Sequence, residues 1–129
     1  MTFPATTAFY AALFALFHLG LSGWVMAGRL SGNVLHGDGG NSDLQKRIRS
    51  QANFIEYVPL ALILIALLEA RGAGHGTIQG LLVALLVGRI LHPVGMFAPA
   101  NSPRQFACRG GGMVLTLGAI LVAAVLLLV

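Results

Sequence analysis

The sequence predicts an all-α integral membrane protein, a four-helix bundle that forms a single domain over residues 1–129. Of the 129 residues, 57% are hydrophobic and only 9% are charged, and the mean hydropathy is +0.83. A soluble domain is about 25% charged, so this composition excludes a soluble globular domain and a disordered segment. The net charge of +4 reflects where loops lie in a membrane protein rather than a nucleic-acid partner.

Four apolar stretches are long enough to cross the hydrocarbon layer, for which about 20 helical residues suffice. They cover residues 5–27, 52–70, 77–98 and 110–129. The second stretch contains Glu56, and the third contains Arg89 and His92, whereas the first and fourth carry no charge. The second helix is expected to begin in water near Asp43, capped by Asn41 or Ser42, and to enter the membrane further along.

The distribution of basic residues predicts the orientation of the bundle. The first loop and the run into helix two contain Arg29, Lys46, Arg47 and Arg49, and the third loop contains Arg104 and Arg109. The second loop has only Arg71. Because Lys and Arg are enriched in cytoplasmic loops, we expect loops one and three in the cytoplasm and both termini on the other side. A multi-pass protein of the bacterial inner membrane is predicted.

Polar residues within the second span form the first candidate site. Arg49, Asn53 and Glu56 stand at positions i, i+4 and i+7 and so share one helical stripe, with Tyr57 beside them. Gln51 lies on another face and is available to a neighbouring helix or subunit. An ionisable side chain inside a membrane is costly, which makes this stripe a candidate functional site.

The third span adds Arg89 and His92, three residues apart on one face. Glu56 lies about 10 Å into the membrane and Arg89 about 12 Å from the same side, at 1.5 Å per residue. The two side chains can therefore neutralise each other, as a structural ion pair, or share a polar cavity. Cations outnumber carboxylates there, with Arg49, Arg89 and Arg104 against Glu56, and such a surplus suits a ligand that bears carboxylates.

Other residues are given structural interpretations. His18 is expected to be a hydrogen-bonded packing residue, and the two loop histidines, on opposite sides of the membrane, predict no metal site. Glycines on helices one and four are expected to permit close helix contacts. They are Gly20, Gly23, Gly28, Gly110, Gly111, Gly112 and Gly118.

The spacing on helix two resembles a known signature. An arginine is followed by an asparagine four residues on, a glutamate three further and then a proline. Here these residues are Arg49, Asn53, Glu56 and Pro59. The pattern resembles helix two of the MAPEG family, the membrane-associated proteins in eicosanoid and glutathione metabolism.

Further positions extend this resemblance over nearly the whole chain. Gln51 and Tyr57 are similar to positions of the leukotriene-forming synthase branch. Residues 88–99, followed by Arg104, are similar to the helix-three segment of the microsomal glutathione transferases. The four spans and short loops also fit, and the chain is most similar to the short bacterial members.

The resemblance implies a homotrimer that binds glutathione, as a co-substrate, between neighbouring subunits near the cytoplasmic face. The implied contacts from helix two are Arg49, Gln51, Asn53, Glu56 and Tyr57. Arg29 would reach the glutathione carboxylates, and Arg104 would be the catalytic residue that stabilises the thiolate. Transferases of this family often carry helix-three tyrosines, for which Leu91 or His92, and then Met96, stand here. His92 would replace one hydroxyl as a donor, beside Arg89 in the same binding set.

These observations favour a membrane glutathione transferase or glutathione-dependent peroxidase that acts on a lipophilic electrophile from the bilayer. The alternative is a non-enzymatic binding protein for a lipid or an anionic small molecule on the same scaffold, which the missing tyrosines favour. A purely structural membrane protein is the third possibility, and the complete set of Arg49, Asn53 and Glu56 argues against it.

Overall fold

The computed structural model describes residues 1–129 and confirms an all-helical bundle with four helices long and apolar enough to span a membrane. The helices are α1 (Ala5–Gly32), α2 (Ser42–Ala70), α3 (His75–Met96) and α4 (Pro103–Leu128). Only 27 of the 129 residues are buried within the protomer. Many large hydrophobic side chains are exposed on the outward faces of the helices, which suits a lipid environment rather than water.

The beginning of α2 agrees with the sequence-based expectation. The Asn41 side-chain oxygen accepts hydrogen bonds from the backbone N–H groups of Asp43 at 2.9 Å and Leu44 at 3.0 Å. These bonds satisfy two of the N–H groups that a helix start leaves without partners. The first turns of α2 are mostly polar and precede its apolar part, so the helix begins in water and then enters the bilayer.

The beginning of α4 differs from the expectation, because the helix starts at Pro103 rather than near residue 110. Ser102 caps it by accepting a hydrogen bond from the backbone of Gln105 at 3.1 Å, and proline is favoured at the first helical position. A π-helical turn, Phe106–Gly110, then leads into the regular part, Gly111–Leu128. The first two turns of α4 contain both polar and apolar residues. A sequence search for uninterrupted apolar runs therefore places the start of this helix too late.

The core joins all four helices in the half of the bundle away from the first loop. Its fully buried side chains include Phe14, Val58, Ile65, Ile78, Leu82, Leu85 and Ala123. His18 stacks on Phe54 with ring centroids 5.7 Å apart, and its Nε2 lies 3.4 Å from the Ser22 hydroxyl. The packing interpretation of His18 is therefore confirmed.

Glycine allows the backbones of α3 and α4 to touch. A Cβ atom on Gly112 would come within 2.6 Å of the Gly88 carbonyl oxygen, and one on Gly88 within 2.7 Å of the Gly112 oxygen. Gly28 likewise leaves room for Leu44 and Arg47 of α2. The expectation of close contacts is wrong, within one protomer, for the remaining glycines, where an added Cβ would have no neighbour within 4 Å. These are Gly20, Gly23, Gly110, Gly111 and Gly118.

The end of the bundle opposite the first loop is closed by Glu69 of α2. Its carboxylate accepts hydrogen bonds from the backbone N–H groups of Thr6 at 2.9 Å and Thr7 at 2.8 Å, and from the Thr7 hydroxyl at 2.7 Å. Pro4 precedes α1 and supplies no side-chain cap. A neighbouring helix thus provides the negative charge that favours a helix N-terminus.

Candidate functional site

The helix-two stripe places its three polar residues at different depths from the surface. Asn53 is buried, whereas the side chains of Arg49 and Glu56 are 57% and 48% exposed. The Arg49 Nη1 atom lies 3.8 Å from Glu56 Oε1, so these two residues form an ion pair at the protomer surface. The stripe therefore runs from an accessible charged pair to an amide inside the bundle.

Arg89 of α3 is the largest fully buried side chain of the protein, with 2% exposure. Its Nη1 donates to Asn53 Oδ1 at 2.7 Å, and its Nη2 donates to the Gly112 carbonyl at 3.4 Å and to Met113 Sδ at 3.7 Å. The Nε atom has no partner. A guanidinium group is thus held inside the bundle by neutral acceptors alone.

The predicted ion pair between Glu56 and Arg89 does not form, because Glu56 pairs with Arg49 instead. The depth estimate places both side chains at a similar level, but the rotation of α2 turns Asn53 toward α3 and Glu56 toward the outside. The neutral amide therefore contacts the buried cation, and the carboxylate stays half-exposed. Of the two sequence-based possibilities, the structural pair is wrong and a shared polar region remains.

The contact with Arg89 fixes the orientation of the Asn53 amide. A guanidinium group only donates hydrogen bonds, so the Asn53 carbonyl oxygen must face it. Both N–H bonds of the amide then remain for another acceptor. Asn53 therefore has two unused N–H donors, whereas its oxygen already accepts from Arg89.

His92 extends this buried polar region by one turn of α3. Its side chain is 4% exposed, and its Nδ1 atom has no hydrogen-bond partner. The guanidinium groups of Arg89, Arg109 and Arg49 are the charges within electrostatic reach of its ring, and half-buried Tyr57 lies within reach of Arg89. Guanidinium groups from three helices therefore lie within electrostatic reach of the buried His92 ring.

Arg109 is a residue of this region that the search for intramembrane charges missed. With Gln105, Phe106, Gly110 and Met113, it lines a cavity of about 270 Å³ at the beginning of α4. Met113 also accepts from Arg89, which connects the buried guanidinium to this cavity. The sequence places Arg109 in a loop, whereas in the structure it belongs to the π-helical turn, which packs so closely on α3 that a Cβ on Gly95 would meet the Arg109 backbone.

Three predicted site residues lie apart from this group in one protomer. Gln51 donates to the Ser22 hydroxyl of α1 at 2.7 Å, and Arg29 donates to the Gly37 carbonyl of the first loop at 2.7 Å. Arg104 is exposed in the first turn of α4 and forms no ion pair. The structure thus gathers Arg49, Asn53, Glu56, Tyr57, Arg89 and His92, and leaves Arg29, Gln51 and Arg104 outside.

The MAPEG family matches residues 7–129, which is nearly the whole chain and includes every residue of this site. The chain belongs to the MAPEG family. Among curated relatives it is similar to "Inner membrane protein YecN" of Escherichia coli strain K12 and to the protein of the same name in E. coli O6:H1 strain CFT073. Each is 36% identical over 115 residues, covering 89% of this chain and 84% of the relative. No solved structure matches the chain.

The membership and the four apolar helices agree on where the protein resides. The relatives carry the name of an inner membrane protein, and α1 to α4 are each long and apolar enough to cross a bilayer. This MAPEG member is therefore a multi-pass protein of the bacterial inner membrane, as the sequence predicted. The polar region around Arg89 lies in the membrane half nearest the first and third loops.

Proposed function

We propose that this MAPEG protein binds glutathione beside the first and third loops and activates its thiol toward a lipophilic electrophile from the bilayer. The observation that carries the proposal is the buried Arg89 guanidinium, which has no carboxylate partner. A buried unpaired charge costs several kcal/mol, and an anionic ligand offsets that cost. Glutathione supplies two carboxylates and a thiol, and guanidinium groups hold carboxylates through two parallel hydrogen bonds.

The geometry around α2 supports specific contacts for this ligand. Asn53, oriented by Arg89, offers two N–H donors to a carboxylate or a thiolate. Arg49 and Glu56, half-exposed as a pair, offer one charge to the glutathione carboxylates and one to its amino group. Tyr57 and His92 add donors at the edge of the same region.

The positions of Arg29 and Gln51 support a site completed by a second copy of the chain. At 3.6 residues per turn, Gln51 lies about 160° around α2 from Asn53, and its contact is on α1. Within one protomer, Gln51 therefore lies on the α1 side of α2, away from Arg49, Asn53 and Glu56. A homotrimer that brings Arg29, Gln51 and Arg104 of one copy beside Arg49, Asn53 and Glu56 of the next would gather the whole predicted set. Native mass spectrometry in mild detergent tests this, and a clean monomer or dimer would contradict it.

The chemistry proposed for the site is electrostatic activation of the thiol. A free thiol has a pKa of about 8.5, and a nearby guanidinium lowers that pKa and so raises the thiolate fraction at neutral pH. Arginine stays protonated, so it stabilises the thiolate while water takes the proton. The thiolate then forms a C–S bond with the electrophile and displaces its leaving group. We propose Arg104 as this arginine, from the family resemblance; its exposure in one protomer suits a site between copies.

Calorimetry with the purified protein tests the binding step. Arg49→Ala is expected to weaken glutathione binding by about 1.5–3 kcal/mol, the value of a hydrogen bond to a charged group, which is roughly 10- to 150-fold. Arg71→Ala removes an arginine at the opposite end and serves as the matched control, with binding unchanged. The absence of measurable glutathione binding by the wild-type protein would contradict the proposal.

A non-enzymatic binding protein remains the second candidate, and one observation favours it. Leu91 or His92, and then Met96, stand where transferases of the family often carry tyrosines, so the tyrosine hydroxyls are absent there. A conjugation assay with an activated chloronitrobenzene, and a reduction assay with a lipid hydroperoxide, separate the two. Binding without turnover in either assay would favour the binding protein over the transferase and the peroxidase.

The proposed orientation places loops one and three in the cytoplasm, because six of the eight basic residues lie in or beside them. Cysteines introduced by His36→Cys in loop one and Gly74→Cys in loop two, in a Cys108→Ser background, report the sidedness. A membrane-impermeant thiol reagent is expected to label the Gly74→Cys protein only. Labelling of the His36→Cys protein alone in intact cells would reverse the topology.

A further inference from the structure

A second group of cations lies where α1, α2 and the end of α3 meet, and the proposed glutathione site does not use it. We call it the cation–aromatic cluster, consisting of Trp24, Lys46, Arg47 and Phe97. The two ring centroids are 4.9 Å apart. The Arg47 guanidinium lies 5.2 Å from the Trp24 ring, and the Lys46 ammonium lies 5.4 Å from the Phe97 ring. Each cation is thus over one ring of a contacting aromatic pair.

The cluster is held in place by contacts that leave its positive charge available. Arg47 Nη1 donates to the Trp24 carbonyl at 3.0 Å, and a Cβ on Gly28 would lie only 3.1 Å from that same Nη1 atom. The Nε atom of Arg47 is buried and has no partner. The one carboxylate that Lys46 approaches is that of Asp43, at 3.7 Å, and Asp43 is 66% exposed, so solvent weakens that pair.

The cluster lies at the boundary between the apolar layer and water. Trp24 is near the end of the apolar run of α1, Phe97 follows the last residue of α3, and both cations belong to the polar start of α2. Tryptophan prefers the headgroup level of a bilayer, and long basic side chains extend their charge to that level. The donors of Lys46 and Arg47 therefore stand at the depth of the lipid phosphates.

We infer that the cation–aromatic cluster is a binding site for the headgroup of an anionic phospholipid in the leaflet next to the first loop. The phosphate is held by Arg47 and Lys46. The Phe97 ring, 38% exposed, offers the adjoining apolar surface to the lipid. The charges of the cluster favour an anionic lipid over a zwitterionic one. Lys46 has a weak carboxylate partner in Asp43, but Arg47 has none, so the cluster keeps a net positive charge.

Native mass spectrometry of the full-length protein, with no glutathione present, tests this site. The detergent-solubilised protein is titrated separately with phosphatidylglycerol and with phosphatidylcholine, and retained lipid is counted. We expect at least a tenfold preference for phosphatidylglycerol. Lys46→Gln/Arg47→Gln should reduce it to less than twofold, and Arg71→Gln, which removes one charge at the opposite end, should leave it unchanged.

Two further measurements keep the test decisive. Lys46→Gln alone leaves the Arg47–Trp24 hydrogen bond intact, so it tests the site even where the double variant fails to fold. It should lower the preference for phosphatidylglycerol at least threefold. Inorganic phosphate at millimolar concentration should not displace the lipid. Equal retention of both lipids, an unchanged preference in the Lys46→Gln protein, or displacement by free phosphate would each overturn the proposal.

Discussion

The two ends of the bundle differ in whether their polar side chains have hydrogen-bond partners. At the end opposite the first loop, the Glu69 carboxylate accepts three hydrogen bonds from the first residues of α1. In the half next to the first loop, four buried nitrogen atoms have no partner at all. They belong to His18, Arg47, Arg89 and His92.

This difference separates a structural polar residue from a candidate binding residue inside a membrane. A carboxylate whose oxygens are all used by its own chain has little left for a ligand, and its role is to hold α1 against α2. A guanidinium such as Arg89, buried among neutral acceptors, keeps unused donors and an uncompensated charge. The surplus of donors, rather than the presence of charge, therefore marks the candidate site.

The largest expected effect concerns the close contact between Gly88 and Gly112. This contact supports the half of the bundle next to the first loop, which we call the donor-rich half because of its four unpartnered nitrogen atoms. Gly112→Ala should destabilise the protein by about 3 kcal/mol, at the upper end of overpacking costs, because the added Cβ meets the Gly88 carbonyl at 2.6 Å. It should also displace the Gly112 carbonyl from Arg89. The measurement is unfolding in detergent followed by circular dichroism.

Gly118→Ala on the same helix is the matched control for that change. A Cβ there meets nothing within 4 Å in the protomer, and alanine is the better helix former by up to about 1 kcal/mol. We therefore expect unchanged or slightly higher stability. If both alanine variants unfold alike, the Gly88–Gly112 contact does not support this half of the bundle.

The sequence was sufficient to predict the fold because lipid imposes a strong requirement. Each apolar run must be a helix to satisfy its backbone in the bilayer, so four runs meant four helices. The start of α2 was equally predictable, since Asn41 or Ser42 was expected as the cap, and Asn41 takes that role just before the helix begins at Ser42. The start of α4 was not, because Ser102–Pro103 marks a helix that first passes through a π-helical turn before it becomes uniformly apolar.

The second prediction concerns the fully partnered end. Glu69→Ala should cost about 2 kcal/mol, the upper range for loss of a helix cap, and leave glutathione affinity unchanged. Glu56→Ala, which breaks a half-exposed ion pair, should cost less than about 1 kcal/mol but weaken glutathione binding. The same unfolding assay and calorimetry measure both. Loss of glutathione affinity in the Glu69→Ala protein would contradict the view that Glu69 is a structural residue and that only the half next to the first loop binds the ligand.

The candidate site could be predicted only in part, since helical spacing gives the face of one helix but not its rotation in the bundle. The stripe of Arg49, Asn53 and Glu56 was correct as a stripe. Its middle residue turns inward to Arg89, and this rotation leaves Glu56 with Arg49 instead. Nothing in the sequence indicated that Glu69, at the far end of the same helix, would cap another helix.

The last prediction distinguishes two arginines on α4, Arg104 and Arg109, in the half of the bundle next to the first loop. Arg104→Ala is expected to raise the pKa of the bound glutathione thiol by about one unit, equivalent to about 1.4 kcal/mol, with binding near normal and turnover reduced. Arg109→Ala, which removes a cation within reach of His92, is expected to weaken binding and leave that pKa unchanged, because it acts on thiol and thiolate complexes alike. Thiolate absorbance of bound glutathione against pH measures both. The reverse result would transfer the catalytic role to Arg109, and a titration that neither variant moves would favour the non-enzymatic binding protein.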